Sequence, residues 1–431
     1  MKKESKKQFN GTGQFRKNNM YTAINKCRIS GSNHLVSVLN LGEQYLTGVF
    51  PANKNETITK GPLELVWSPE SQLLQLNHSY DLGEMYGDNY GYRSGLNQSM
   101  VEHLTAKINR LEERVNLMPG DCVIDIGSND ATSLKAYFTK GIKRIGVDPT
   151  GAKFREYYTD EIQLIPDFFP NAEVKKAVKD SKVKIITSIA MFYDLEDPIG
   201  FARNISACIH KEGVWHFEQS YMPSMIRLNS YDTICHEHLE FYTLYNIRYI
   251  LDKADMRIID VQMNGINGGS FAVTAARKDS SHRSNEALIN WLLQQEAKMG
   301  FDTPKPFRDF EERVFKHRES LRTLIDSLCA DGKKILGYGA STKGNVVLQF
   351  CNFTSAQLPA IADVNPLKYG CFTPGTHIPI VSEKDARDMK PDYYLVLPWH
   401  FKDSIVRREK EFLRTGGKLI FPFPEIEIVG G

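Results

Sequence analysis

The sequence predicts an α/β protein of several units, built around a parallel sheet. Two observations carry this. After Pro119, the short apolar runs CVIDIG, RIGVD, KIITSIA and VWHFEQ alternate with helix-compatible stretches, which is how parallel strands joined by crossover helices read. Toward the C-terminus KKILGYGA, LPAIADV, DYYLVLP and KLIFPFP repeat that texture. With 431 residues, 41% of them hydrophobic, the chain has enough apolar material for two or three domains, each with a core.

The units follow in order. Residues 1–20 are basic but contain no apolar run, so they read as a disordered tail and not as a signal peptide. Residues 21–100 hold the strand-like runs HLVSVLNLG, LELVW and LLQL, broken by Gly, Pro and Asn, and predict a small β-rich domain. A helix follows, with Val101, Leu104, Ile108, Leu111 and Val115 at helical spacing on one face. It opens the unit 101–282, which contains the first parallel set. Residues 283–330 read as a connector of two helices. The second carries Phe310, Val314, Leu321, Leu324 and Leu328 as a stripe that needs a partner. Residues 331–431 form a second α/β domain.

A formal charge of +2 implies neither a nucleic-acid nor a membrane-surface partner. No run of about 18 apolar residues is present, so no membrane span is predicted. The seven cysteines are scattered, with no CxxC pair, which points to a reducing, cytoplasmic setting.

Polar residues end four apolar strands in succession. In VIDIGSNDATSLKAY, Asp125, Gly127 and Asn129 bring backbone to a ligand near a helix N-terminus. Asp148 ends the next strand, IGVDPTG, where a carboxylate can accept both hydroxyls of an adenosine ribose. Ile189, Ala190 and Met191 end the third strand beside an adenine or methionine moiety, and Glu218 and Gln219 end the fourth. The loop has one glycine and is not GxGxxG, so it suits a nucleoside without phosphates, such as S-adenosylmethionine (SAM), better than a dinucleotide.

These stretches, together with CRISGSNHLVSVLNLGEQ, YGYRSGLNQSM, YDTICHEHLEFY, NGGSFAVTA, GYGASTKGN and YGCFTPGTHIPI, resemble the SAM-dependent C-methyltransferases of nucleotide-linked 4-keto deoxysugars. The resemblance covers the chain from Cys27 onward. It implies three parts: a small zinc-binding-type N-terminal domain, a central class I methyltransferase domain of Rossmann-like fold, and a second Rossmann-like C-terminal domain that helps hold the sugar nucleotide. The implied reaction is SAM-dependent methylation of carbon, at C3 of a 4-keto-6-deoxy sugar, through an enolate. O-methylation of a sugar and an inactive sugar-nucleotide-binding homologue are the competing readings. A monomer or homodimer is expected.

The family's zinc site comes from two CxxC pairs. Here those places read Cys27 to Ser30 and Ser68 to Ser71, and serine does not replace thiolate at structural zinc, so no metal is expected. Within YDTICHEHLEFY, HEH lacks the HExxH spacing of a metal site. The resemblance places Glu237 and His238 at the active site, with His238 the leading general base and Glu237 the alternative. His236 reads as a core histidine. Cys235 stands where some members have tyrosine. The same resemblance makes Tyr90 an active-site candidate, with Tyr92 contacting the sugar and Arg93 facing a phosphate. Gly339, Ser341, Thr342 and Lys343 in ILGYGASTKGN offer amides, hydroxyls and an ammonium to a diphosphate. YGCFTPGTHIPI is expected to close over that loop, with His377 a further contact.

Overall fold

The computed structural model describes residues 21–85, 92–179 and 181–430; the basic tail over 1–20 and Tyr90 lie outside them. The N-terminal unit contains β1 (Tyr21–Ala23), β2 (Val36–Tyr45), β3 (Lys60–Trp67), β4 (Leu74–Leu76) and β5 (His78–Tyr80). The strand-like runs of the sequence become β2, β3 and β4, paired antiparallel, while β1 pairs with β5.

The helix Gln98–Val115 begins at Asn97, whose side chain accepts from Ser99 N, and stops at Asn116 in the left-handed region at φ 48°. Its predicted stripe is the buried face: Leu104, Ile108, Leu111 and Val115. The central sheet follows, with β6 (Cys122–Ile126), β7 (Lys143–Val147), β8 (Ile162–Ile165), β9 (Val183–Ile189), β10 (Val214–Ser220), β12 (Met256–Asn264) and β13 (Ser270–Arg277), while the short β11 (Glu240–Phe241) comes between β10 and β12 in the chain. Its order is β12-β13-β10-β9-β6-β7-β8, parallel from β8 to β10 and closed by antiparallel β13. Strands such as β6 are buried at every position because both faces of the sheet are covered. This is the Rossmann-like arrangement expected for the central domain.

β11 is not in that sheet. It pairs with β4 and extends the N-terminal sheet to β11-β4-β3-β2. The chain therefore leaves the central domain after His238 and ties itself to the N-terminal unit.

The connector packs as its stripe requires. In the helix Lys305–Ala330, Phe307, Phe310, Val314, Leu321 and Ile325 are buried. The C-terminal sheet comprises β14 (Ile335–Tyr338), β15 (Ile361–Asp363), β16 (Ile380–Ser382), β17 (Tyr393–Val396), β18 (Lys418–Phe421) and β19 (Glu427–Val429), in the order β16-β15-β14-β17-β18-β19. Its first helix, Thr342–Phe350, docks on the N-terminal unit: Asn345 Nδ2 donates to Thr47 O at 2.7 Å, and Gln349 exchanges two hydrogen bonds with the Tyr45 backbone. The segment YGCFTPGTHIPI contacts the N-terminal unit. Phe372 N donates to Pro51 O at 2.9 Å, and Gly375 lies against the Tyr45 ring, so this loop also sits on the N-terminal unit.

Candidate active site

The cofactor-type residues come together at the tips of β6, β7 and β9. Gly127 takes φ +76°, and a Cβ there would stand 3.1 Å from Met191 Cγ, so the loop and the tip of β9 approach as only glycine allows. Asn129 N donates to Asp148 Oδ2 at 2.7 Å, while Thr150 N and Oγ1 donate to Oδ1. That holds the Asp148 carboxylate at the mouth of the loop, with lone pairs left for ribose hydroxyls. Ala190, at φ +54°, donates its N–H to Glu218 O at 2.7 Å, and Ile189 pairs with Glu218 across β9 and β10. Asp125 lies below, accepting from Thr187 Oγ1 at 2.5 Å, and burial pushes its carboxyl up to about 7. The residues present fit SAM: a carboxylate for the ribose, a glycine cradle and an apolar tip at Met191.

The segment 92–95 closes onto the same loop. Asn129 Nδ2 donates to Tyr92 O at 3.1 Å, Ser94 N donates to Asn129 Oδ1, and Gly95 N donates to Asp130 Oδ2. Arg93, expected at a phosphate, lies 3.7 Å from Asp130 and donates to the Tyr157 hydroxyl at 2.5 Å. Asp130 attracts this guanidinium to the cofactor side. The Tyr92 side chain stands exposed beside it.

Glu218 is likewise occupied. Its carboxylate accepts from His103 Nε2 at 2.7 Å, Lys107 Nζ at 2.6 Å and Asn264 Nδ2 at 2.5 Å. Burial alone would raise this carboxyl, but the His103 hydrogen bond and the Lys107 ammonium hold it at about 2. Sequence reasoning missed His103 and Lys107. They sit four apart on the helix before β6, and that spacing was the available signal.

Glu237 and His238 lie where three units meet. His238 Nδ1 faces Thr233 O at 2.7 Å; a carbonyl only accepts, so Nδ1 carries the hydrogen and Nε2 keeps its lone pair. The ring packs on Tyr193 at 4.2 Å. Burial and then the Lys343 ammonium hold the imidazole down at about 3, and it stays neutral. Burial pushes Glu237 up to about 7, only partly offset by a Cys235 Sγ contact at 3.8 Å. Glu237 also explains Gly48. A Cβ on Gly48 would fall 2.0 Å from Glu237 Oε1 and 3.6 Å from Thr342 Oγ1, so the N-terminal unit, the HEH segment and the C-terminal loop converge on one point. His236 turns the other way, fully buried edge-on to Tyr80 at 4.6 Å.

The C-terminal loop mirrors the first. Gly339 takes φ +82°, and Ala340 N donates to Asp363 Oδ2 at 2.8 Å, as Asn129 does to Asp148. Ser341 Oγ accepts from Gly344 N and caps the helix. Lys343 reaches across to the hairpin between β12 and β13, donating to Asn267 O at 2.9 Å. Next to it Asp232 accepts from Trp399 Nε1 at 2.8 Å.

In the N-terminal unit three of the four positions that the resemblance assigns to zinc ligands, Cys27, Ser30 and Ser71, lie together. Cys27 Sγ is 3.1 Å from Ser71 Oγ, Ser30 N donates to Cys27 Sγ at 3.5 Å, and Ser68 is fully buried. One thiol and three hydroxyls do not make a structural zinc site, and among the described residues no group of three or more His, Cys, Asp or Glu could hold a metal. No described helix is long and apolar enough to cross a membrane.

Known proteins give the same organisation. Residues 27–86 match a domain family whose description names zinc binding, 96–261 match "Methyltransferase domain", and 265–424 match "C-methyltransferase C-terminal domain". The chain is 29% identical over 410 residues to the C-methyltransferase NovU of Streptomyces niveus, covering 94% of this chain and 97% of that protein. Among solved structures, one from a Haloferax volcanii Trm112–methyltransferase complex is 18% identical, covering 42% of this chain and 94% of its own, with a TM-score of 0.35. A SAM-dependent methyltransferase of Clostridium acetobutylicum is 12% identical, covering 41% of this chain and 92% of its own, with a TM-score of 0.32. The three domain matches follow one another along nearly the whole chain, and with the similarity to a C-methyltransferase they show a SAM-dependent methyltransferase.

Proposed function

We propose that the protein methylates carbon C3 of a nucleotide-linked 4-keto-6-deoxy sugar. The observation that carries this reading is the Glu237–His238 pair, set at the junction of the cofactor loop's domain with the C-terminal glycine loop. A ketone acidifies the neighbouring C–H because the resulting carbanion spreads onto oxygen. His238 Nε2, held neutral with its other nitrogen fixed on Thr233 O, is the base for that hydrogen. Bound SAM supplies the methyl group that the enolate carbon takes. The C-terminal loop, with Gly339, Ser341 and Asp363, receives the nucleotide part. Asp363 stands to this loop as Asp148 stands to the first, which supports a nucleoside there.

A second assignment of the base has support of its own. Glu237 titrates near 7, the range in which a general base works best, whereas His238 at about 3 is a weak one in the free enzyme. Deuterium uptake separates the readings. Purified protein is incubated in D2O with TDP- and GDP-linked 4-keto-6-deoxy sugars, without SAM and then with it. Wild type is expected to exchange the hydrogen beside the ketone and, with SAM, to methylate that carbon; a methyl group found on oxygen would overturn the proposal. His238→Ala is expected to abolish exchange while leaving SAM affinity within about threefold, since the two sites use separate groups. If His238→Ala still exchanges and Glu237→Gln does not, Glu237 is the base.

A further inference from the structure

We propose that Lys343 is the group that holds the ketone oxygen as it becomes an enolate, so that the C-terminal domain completes the catalytic pocket as well as binding the nucleotide. This inference rests on the enolate reading above. Lys343 follows Thr342, whose hydroxyl shares the space around Gly48 with the Glu237 carboxylate. Its ammonium is not laid over its own glycine loop. It extends to the β12–β13 hairpin and donates to Asn267 O at 2.9 Å. An ammonium has three donors, and this is the one hydrogen bond that Lys343 makes among the described residues. The side chain is partly open to the crevice, so the remaining donors can meet a ligand.

The surrounding groups fit an oxyanion site. Asp232 is fully buried and its Oδ2 accepts from Trp399 Nε1; burial lowers the Lys343 ammonium and the charge of Asp232 opposes that shift, without a direct hydrogen bond between the two. Cys235 is a weak donor directed at Glu237. His400, the other imidazole under the Lys343 field, is held at about 3 by burial and then by that ammonium, so it is not a competing cation. Among these groups the cation is Lys343, with Asp232 acting on it through space.

The step balances. As His238 Nε2 takes the C3 proton, the C–H pair becomes the C3=C4 double bond, and the carbonyl π pair moves onto the C4 oxygen. Lys343 N–H donates to that oxygen; its charge favours the enolate and opposes the imidazolium, so the gain lies in the direct hydrogen bond to the oxyanion. Removing one oxyanion donor costs about 10²- to 10³-fold in rate.

The test uses full-length Lys343→Met and Lys343→Gln, with folding checked by circular dichroism, and measures two quantities. One is deuterium exchange in saturating 4-keto sugar nucleotide without SAM; the other is the Kd of that sugar nucleotide. Exchange is expected to fall about 10²- to 10³-fold while Kd moves less than about threefold. If Kd weakens and exchange at saturation persists, Lys343 holds the diphosphate and the inference is overturned. Unchanged exchange and unchanged Kd overturn it too. Absence of exchange in wild type would instead defeat the enolate reading itself, a distinguishable failure.

Discussion

Glu237 and His238 share one environment and respond to it in opposite directions. Burial favours the neutral form of each, which lowers the imidazole to about 3 and raises the carboxyl to about 7. The folded protein binds the Glu237 proton more tightly than the unfolded chain, where the carboxyl titrates near 4.5. Its contribution therefore favours the fold at low pH and is lost as pH rises from about 4.5 through about 7. His238 acts with the other sign: its depressed value stabilises the fold above about 6.5, and that contribution is lost as pH falls toward 3. Both wild type and Glu237→Gln carry the His238 and Asp125 effects, so the difference between them isolates Glu237. Between pH 5 and pH 8 the wild type is expected to lose roughly 1–3 kcal/mol relative to Glu237→Gln, the lower figure reflecting the side chain's contact with solvent. Urea unfolding at both pH values measures this, and parallel behaviour of the two proteins would refute it.

Among the elements, the geometry of the candidate cofactor loop was legible from sequence and that of the candidate pocket only in part. Strand, glycine and acidic tip lie close in the chain, so Gly127, Asn129 and Asp148 announce themselves by local pattern, and the helix Gln98–Val115 by its period. Gly48 carries no such signal, because its requirement arises from Glu237, far away in sequence. The partners of Arg93 and Glu218 are hidden for a related reason: their charge was visible, while the groups that pair with it, Asp130 for one and His103 and Lys107 for the other, are set by tertiary packing. The N-terminal unit shows how an element survives the loss of its ligands. Cys27, Ser30 and Ser71 lie near one another, while Leu63, Leu65, Leu74 and Leu76 in β3 and β4 are almost wholly buried. Apolar burial then holds the unit together. Metal analysis of the purified protein is expected to find under about 0.1 zinc per chain, and chelator to leave the Tm unchanged; one zinc per chain would contradict the account.

For the molecule as a whole, the cores do not follow the order of the chain. One cluster joins the N-terminal sheet, the segment around Tyr231 to Phe241, the helix Lys305–Ala330 and the C-terminal sheet, while the central sheet is built mainly on another. The first and last parts of the chain thus fold against each other, and the helix between them is their shared wall. Phe307 is its clearest contact: 1% exposed, with its ring 5.8 Å from Trp67 of β3. Phe307→Ala removes a buried ring and leaves a cavity, a loss of about 3–5 kcal/mol. A shared core transmits that loss to both sheets it joins, whereas the separate cluster under β6, β7 and β9 keeps most of its own packing. Hydrogen exchange should therefore quicken together in β3 and β14 and change little in β6. Since Gly48, Glu237 and Lys343 hang on those same joined parts, methyl transfer should weaken before SAM binding does. Exchange that quickens in the N-terminal sheet alone would show that the two ends fold independently, and that the pocket is a meeting of separate bodies.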